Sequence, residues 1–207
     1  MEEEVQDLQN SCDYVKILAH PYQVWENDKS FIVVCGIGIA RSSACTGWVI
    51  EKLKPTQIIN IGLCGATESN SILDGLFIKK AYYSAVDLTP FGYDYGQHSK
   101  GKKFYQSNIE NVLKVKEANI ASSDIFINNI QGYDNFIKKI NDKIELFDME
   151  CCSIFQICDE FGIKYGAIKI VSDVLNKYQD NKFQFEEIIL QGAKKIKEIV
   201  SKINKKI

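Results

Sequence analysis

A three-layer α/β/α sandwich around a mixed central sheet is the fold class this sequence predicts, and three observations predict it. Short apolar runs rich in β-branched residues alternate with stretches of helical spacing, the pattern of strands joined by crossover helices. These runs stop on clusters of Gly, Ser, Asp and Glu. Three prolines and no low-complexity linker interrupt the 207 residues, so the chain reads as one domain spanning residues 1–207.

In chain order, Tyr14–Leu18 and Tyr22–Trp25 read as an early hairpin, and an Asn27-Asp28 turn leads into Ser30–Gly36, a run apolar enough for a buried strand. Gly36-Ile-Gly38 then opens a helix over Ser42–Leu53. Gln57–Gly62 reads as a second buried strand and Gly75–Ser84 as a third; Asn119–Ser122 and Lys143–Phe147 are shorter candidates. Met149–Glu160 has helical spacing and Gly162 stops it. Lys164–Val171 is another buried strand, and the final helix spans roughly Phe185–Lys205. Ile196, Ile199, Val200 and Ile203 share one face of that helix, so its lysines form a solvated face.

Composition excludes several classes of function. Apolar residues make up 45% and charged residues 25%, with a formal charge of −2 and interspersed signs. This gives no one-sided basic field for nucleic acid. No apolar run is long enough to span a bilayer and no signal-peptide pattern is present, so a membrane partner is not expected. Seven cysteines, at positions 12, 35, 45, 64, 151, 152 and 158, lack metal-ligand spacing and stand apart from His20 and His98. They read as reduced thiols of a cytoplasmic protein that needs no metal and no cofactor.

In an open α/β sheet, ligands bind beyond the carboxyl ends of strands. That rule nominates Gly36–Ala40, Gly62–Thr67, Ser122–Phe126, Asp148–Glu150 and Ser172-Asp173. Each has a bland reading. Gly36-Ile-Gly38 fails the dinucleotide fingerprint because Arg41 occupies the third glycine position. Gly62–Gly65 reads as a tight turn. Asp148-Met-Glu150 and Ser172-Asp173 suit helix N-caps. Together, however, they place acids around one site. Cleavage of an N-glycosidic bond uses such acids: one raised in pKa by burial protonates the leaving base, and another activates water. Glu4, Glu150 and Asp173 can fill these roles.

Seven segments, in order, carry a resemblance. They are Met1-Glu-Glu-Glu-Val5, Cys35-Gly-Ile-Gly38, Lys54–Gly62, Ala85–Gln97, Ser122–Ile127, Phe147-Asp-Met-Glu150 and Ile170-Val-Ser-Asp-Val174. Together they resemble the 5′-methylthioadenosine/S-adenosylhomocysteine nucleosidases of the purine nucleoside phosphorylase superfamily, over nearly the whole chain. The resemblance implies a nucleoside phosphorylase-like fold and hydrolysis of an adenine nucleoside, of the kind used in methionine salvage. It implies Asp173 as the general acid at purine N7, and Glu4 as the base for the hydrolytic water. Glu150 would hold the ribose hydroxyls, with Met149 against the sugar and Ser172 beside it in the site. Phe126 would stack on adenine, the backbone of Ile127 would read its edge, and Ile37 and Tyr93 would line the pocket. Phe183 or Phe185 would cover the alkylthio end. Leu88 and Phe91 would enter a neighbouring subunit's pocket, which implies a homodimer.

Three departures stand beside this resemblance. Leu63 replaces a serine expected beside the water and sugar, and Lys169 replaces an arginine expected to hold the carboxylate that activates water, keeping the charge but losing the planar fork. The family's first buried strand, ahead of Met-Glu-Glu-Glu, is missing, which predicts an open apolar sheet edge. Family phosphorylases hold phosphate with arginines, where this chain reads Asn60-Ile61; Arg41 is expected at a surface or interface. Hydrolysis is therefore the expectation. The alternatives are a nucleoside-binding relative with little catalysis, a hydrolase of a drifted substrate such as an aminodeoxyfutalosine-like nucleoside, and a phosphate-dependent phosphorylase.

Overall fold

The structure, a computed structural model, describes residues 14–17, 21–176 and 182–205, with the side chains of 182–185 excepted. Three antiparallel strands come first: β1 (Val15–Ile17), β2 (Gln23–Glu26) and β3 (Phe31–Val34). Helix α1 (Ile39–Leu53) leads to β4 (Gln57–Ala66) and β5 (Gly75–Tyr83). A 3₁₀ turn over Thr89–Phe91 precedes β6 (Tyr105–Gln106) and β7 (Glu117–Ser122). One helical turn, α2 (Ile130–Gly132), continues as a π-helical turn over Tyr133–Ile137. The chain then forms β8 (Leu146–Asp148), α3 (Cys151–Glu160), β9 (Lys164–Val174) and α4 (Lys182–Asn204).

The central sheet runs β6-β5-β7-β8-β4-β9 and is mixed. Strand β4 is parallel to β9 but antiparallel to β8, while β5, β7 and β8 run parallel to one another. The sheet also curls until β5 pairs with β9 through Gly75–Phe77 and Ile168–Ile170. Helices α1 and α3 cover one face, where Ile50, Ile154, Phe155 and Cys158 pack on Ile120, Leu146 and Val171. Helix α4 covers the other, burying Ile196, Ile199, Val200 and Ile203 against Ile168 and Ile170. The three layers follow from these two apolar faces and the helices that close them.

Two expectations need correction. Ser30–Gly36 is not a buried strand: among the described residues β3 pairs only with β2, Phe31 is exposed and Ile32–Val34 are half-buried. Among the described residues, neither the outer edge of β3 nor the Gln57–Gly62 edge of β4 opposite β9 has a strand partner. Consecutive residues of both strands line one cavity, so their backbone edges face each other across it.

The second correction concerns strand ends. Strands β4 and β9 were expected to stop at Gly62 and Val171, but both run on, to Ala66 and Val174. Their parallel ladder survives because Cys64 pairs with Val171 and Gly65 with Asp173, leaving Ser172 as the extra residue. Such a bulge keeps the pairing while re-aiming the side chains beside it.

Candidate active site

The strands change direction between β8 and β4, and there a cavity of about 870 Å³ brings together Ile37, Phe126, Ile127, Met149, Glu150, Ser172 and Asp173. A direction change in a sheet opens the crevice that ligands use. Apolar walls with a few convergent acids are the usual make-up of a small-molecule site.

Its floor is built by close approach. Gly65 has no side chain where one would strike the Phe147 ring and come within 2.8 Å of Asp173 Oδ2. The sequence suggested a tight turn here. The glycine is instead a strand residue that lets β8 and β9 meet over β4. The bulge at Ser172 sets Asp173 against the cavity, and the Ser172 hydroxyl donates to Asp173 Oδ1 at 2.8 Å. Burial raises the Asp173 pKa above its ordinary value of 3.8, and the Ser172 hydrogen bond opposes that rise only in part.

The opposite wall is a turn. Gly36 and Gly38 have φ of +80° and +97°, conformations that side chains disfavour, and they lead straight into α1. The first N–H groups of that helix meet two carboxylates. Gly38 N donates to Glu150 Oε1 at 3.0 Å, and Ile39 N donates to Asp124 Oδ1 at 2.7 Å. Acids suit a helix N-terminus. Asp124 thereby ties the segment carrying Phe126 to this turn. At the rim, Ile37 is 52% and Phe126 60% exposed. The backbone holds these two large apolar groups at the cavity mouth.

Behind Glu150 is a buried network that sequence reasoning missed. Lys169 Nζ lies 2.9 Å from Asp148 Oδ2, with both side chains 2% exposed. Asp148 also accepts from Ser122 Oγ at 2.5 Å and from Cys151 N at 3.0 Å. Burial pulls Lys169 toward the neutral form, but the carboxylate of Asp148, with that of Glu150 beyond it, outweighs burial and holds the ammonium charged. Cys151 and Cys152 are fully buried, and burial pushes both thiols well above their ordinary range. They pack as small residues behind the site. From the sequence Asp148 reads as a helix N-cap residue and Lys169 as an exchange for arginine, but nothing in local spacing pairs the two.

Other expected site residues fall elsewhere. Tyr93 is not on the wall of this cavity: the segment turns away through left-handed Gly92 and Gly96, the latter bonded to Val86 O at 2.8 Å. Leu88 and Phe91 sit at the same outer turn, and Phe91 is 77% exposed. Glu4 lies outside the described residues, as do the side chains of Phe183 and Phe185 at the start of α4. Leu63 packs toward α4, so close to Gly192 that a side-chain carbon there would lie 2.7 Å from its Cδ2. Arg41 is exposed, lies over the Gly36 turn and is not on the cavity wall.

Residues 1–204 match the model of the phosphorylase superfamily. A 5′-methylthioadenosine/S-adenosylhomocysteine nucleosidase of Staphylococcus aureus is 30% identical over 222 residues, covering 98% of this chain and 97% of its own. The S-adenosylhomocysteine nucleosidase of Streptococcus pyogenes, solved with 5-methylthiotubericidin, superposes with a TM-score of 0.83 at 25% identity, over 97% of this chain and 91% of that one. The Neisseria meningitidis 5′-methylthioadenosine/S-adenosylhomocysteine nucleosidase, solved with methylthio-immucillin-A, shares the fold at a TM-score of 0.86 and 21% identity, over 100% and 96% of the two chains. With its acids gathered at the turn of a mixed sheet, the chain belongs to the phosphorylase superfamily and, within it, to the 5′-methylthioadenosine/S-adenosylhomocysteine nucleosidases.

Proposed function

We propose that this protein hydrolyses the N-glycosidic bond of a 5′-substituted adenosine, methylthioadenosine or S-adenosylhomocysteine, and releases adenine. The observation that carries this reading is Asp173: a half-buried carboxyl with a raised pKa, facing a cavity with Glu150 across it and an exposed Phe126 at its mouth. A carboxyl whose pKa is raised by burial is suited to act as a general acid.

In this reading adenine stacks on Phe126 and its edge meets the Ile127 backbone. Glu150 accepts hydrogen bonds from the ribose hydroxyls, while Met149 and Ile37 pack on the sugar, and Phe183 covers the 5′ group. Asp173 gives its proton to N7 as the bond from C1′ to N9 breaks. The base leaves neutral and C1′ takes on oxocarbenium character. Water adds to C1′ and yields its proton to Glu4, a role that rests on the Met1–Val5 resemblance. Ser172 orients Asp173.

Water rather than phosphate is the second substrate in this reading. The lysines on the cavity wall are Lys29, Lys54 and Lys169, the last of them bonded to Asp148, and Arg41 lies off that wall. The exposed Leu88–Phe91 turn would complete the pocket of a second copy, giving a homodimer, and the free thiols suit the cytoplasm. Adenine release from methylthioadenosine, measured with and without phosphate, tests the reading. Release independent of phosphate is expected. Strict phosphate dependence would make the protein a phosphorylase, and no release under either condition would leave a nucleoside-binding relative.

A further inference from the structure

Glu150 occupies the N-cap of α3, yet its side chain makes no cap hydrogen bond. The first free N–H groups of a helix are ordinarily met by a short polar side chain at or beside this position, and the helix dipole favours a carboxylate there. Two other side chains do that work here. Asp148 Oδ2 accepts from Cys151 N at 3.0 Å, and Ser122 Oγ accepts from Cys152 N at 2.9 Å. Ser122 in turn donates to Asp148 Oδ1. The Glu150 carboxylate reaches outward instead, to Gly38 N at 3.0 Å on the far wall of the cavity.

We infer that Asp148 and Lys169 are a positioning pair that caps α3 in place of Glu150 and so directs Glu150 across the cavity toward the ligand. The geometry gives each partner a separate task. Asp148 has an acceptor on the helix, but a buried carboxylate needs compensation, and Lys169 Nζ supplies it at 2.9 Å. Lys169 is 1% exposed and comes from the middle of β9, four residues before Asp173. The strand that carries the candidate acid thus also sets where the candidate ribose-binding carboxylate points. A lysine suffices, because the pair needs one point charge rather than a bidentate fork.

The assignment rests on the ribose-binding role proposed for Glu150, and its test separates the two. Binding of 5′-methylthioadenosine is measured by titration calorimetry with Asp173→Asn as the parent, so that turnover does not interfere. Asp148→Ala alone leaves the Lys169 charge buried and unpaired and can unfold the chain, so the variant used is Asp148→Ala with Lys169→Met. Its affinity is expected to fall about tenfold or more, the loss of one charge-assisted hydrogen bond. Adding Glu150→Ala to this variant is expected to cost less than about twofold, although Glu150→Ala alone weakens the parent about tenfold or more. A merely structural pair would give additive losses. Parent-like affinity in the paired variant, or an undiminished Glu150→Ala effect within it, overturns the proposal.

If the parent does not bind the nucleoside, or Glu150→Ala does not weaken it, the ribose role fails. The positioning claim is then decided by a crystal structure of the paired variant. A Glu150 carboxylate turned back onto the N–H groups of Cys151 and Cys152 supports it. A carboxylate still on Gly38 N refutes it.

Discussion

Two carboxylates from the strands that flank β4 face the same cavity and are held in opposite ways. At the end of β8, Asp148 accepts from a buried ammonium, a hydroxyl and a backbone N–H. Near the end of β9, Asp173 accepts from the Ser172 hydroxyl and, among the described residues, forms no ion pair. The first arrangement pins the carboxylate through three partners and suits a fixed structural anchor. The second leaves burial as the dominant effect and favours the protonated form, as a proton donor requires. Environment rather than residue type separates the two roles.

The comparison is broken most severely by Asp173→Asn. Turnover is expected to fall by about 10²- to 10⁴-fold while nucleoside binding persists. Stopped-assay adenine release and calorimetry check this together, and turnover within a factor of a few of wild type removes Asp173 from the mechanism. Gly65→Ala comes next. Its methyl group must displace the Phe147 ring and crowd Asp173 Oδ2 at 2.8 Å, which disturbs both strand ends at once. A loss of about 1–3 kcal/mol in stability is expected from overpacking, with a fall in kcat/KM of up to about 10²-fold. A denaturant midpoint and rate unchanged from wild type would show that the two strand ends have room to part.

Smaller effects sharpen the contrast through pH. The folded pKa of Asp173 lies above its unfolded value of 3.8, so the group opposes folding wherever it must ionise. The cost is absent below about 3.8, grows as pH rises toward the folded pKa, and is constant above it. Asp173→Asn is therefore expected to raise the melting temperature at neutral pH, by about 2–4 °C per kcal/mol recovered. The gain should shrink toward about pH 4. A gain of equal size at both pH values argues against ionisation as its source.

Ser172→Ala is expected to have the mildest consequence. Its hydroxyl lowers the Asp173 pKa, so its removal raises that pKa further. The alkaline limb of kcat/KM, where the acid loses its proton, moves to higher pH with little change at the plateau. Movement to lower pH contradicts the proposed geometry.

Much of this was legible in the sequence. Periodicity located α1, α3, α4 and the cores of β4, β5, β7 and β9, because burial on one face or two leaves a mark at fixed spacing. Ser172-Asp173 and Asp148-Met-Glu150 were visible as polar interruptions of apolar runs. The limits of β4 and β9 were not, since Gly62–Ala66 and Ser172-Asp173 look like strand-end turns until the two strands register against each other across a bulge. Strand β3 misled for a related reason: an apolar run signals that a strand wants cover, whereas its half-exposed state depends on which edges reach it. Tyr93 was expected in the cavity, but its turn lies elsewhere.

By itself the sequence determined that the chain forms an α/β domain with acids beside its strands, because hydrophobic period and polar punctuation are properties of consecutive residues. Only the tertiary structure decided how each acid is held. Asp148 and Lys169 are 21 positions apart, and nothing in local spacing couples them. Their pairing, and the burial that raises the Asp173 pKa, arise where β8, β4 and β9 converge.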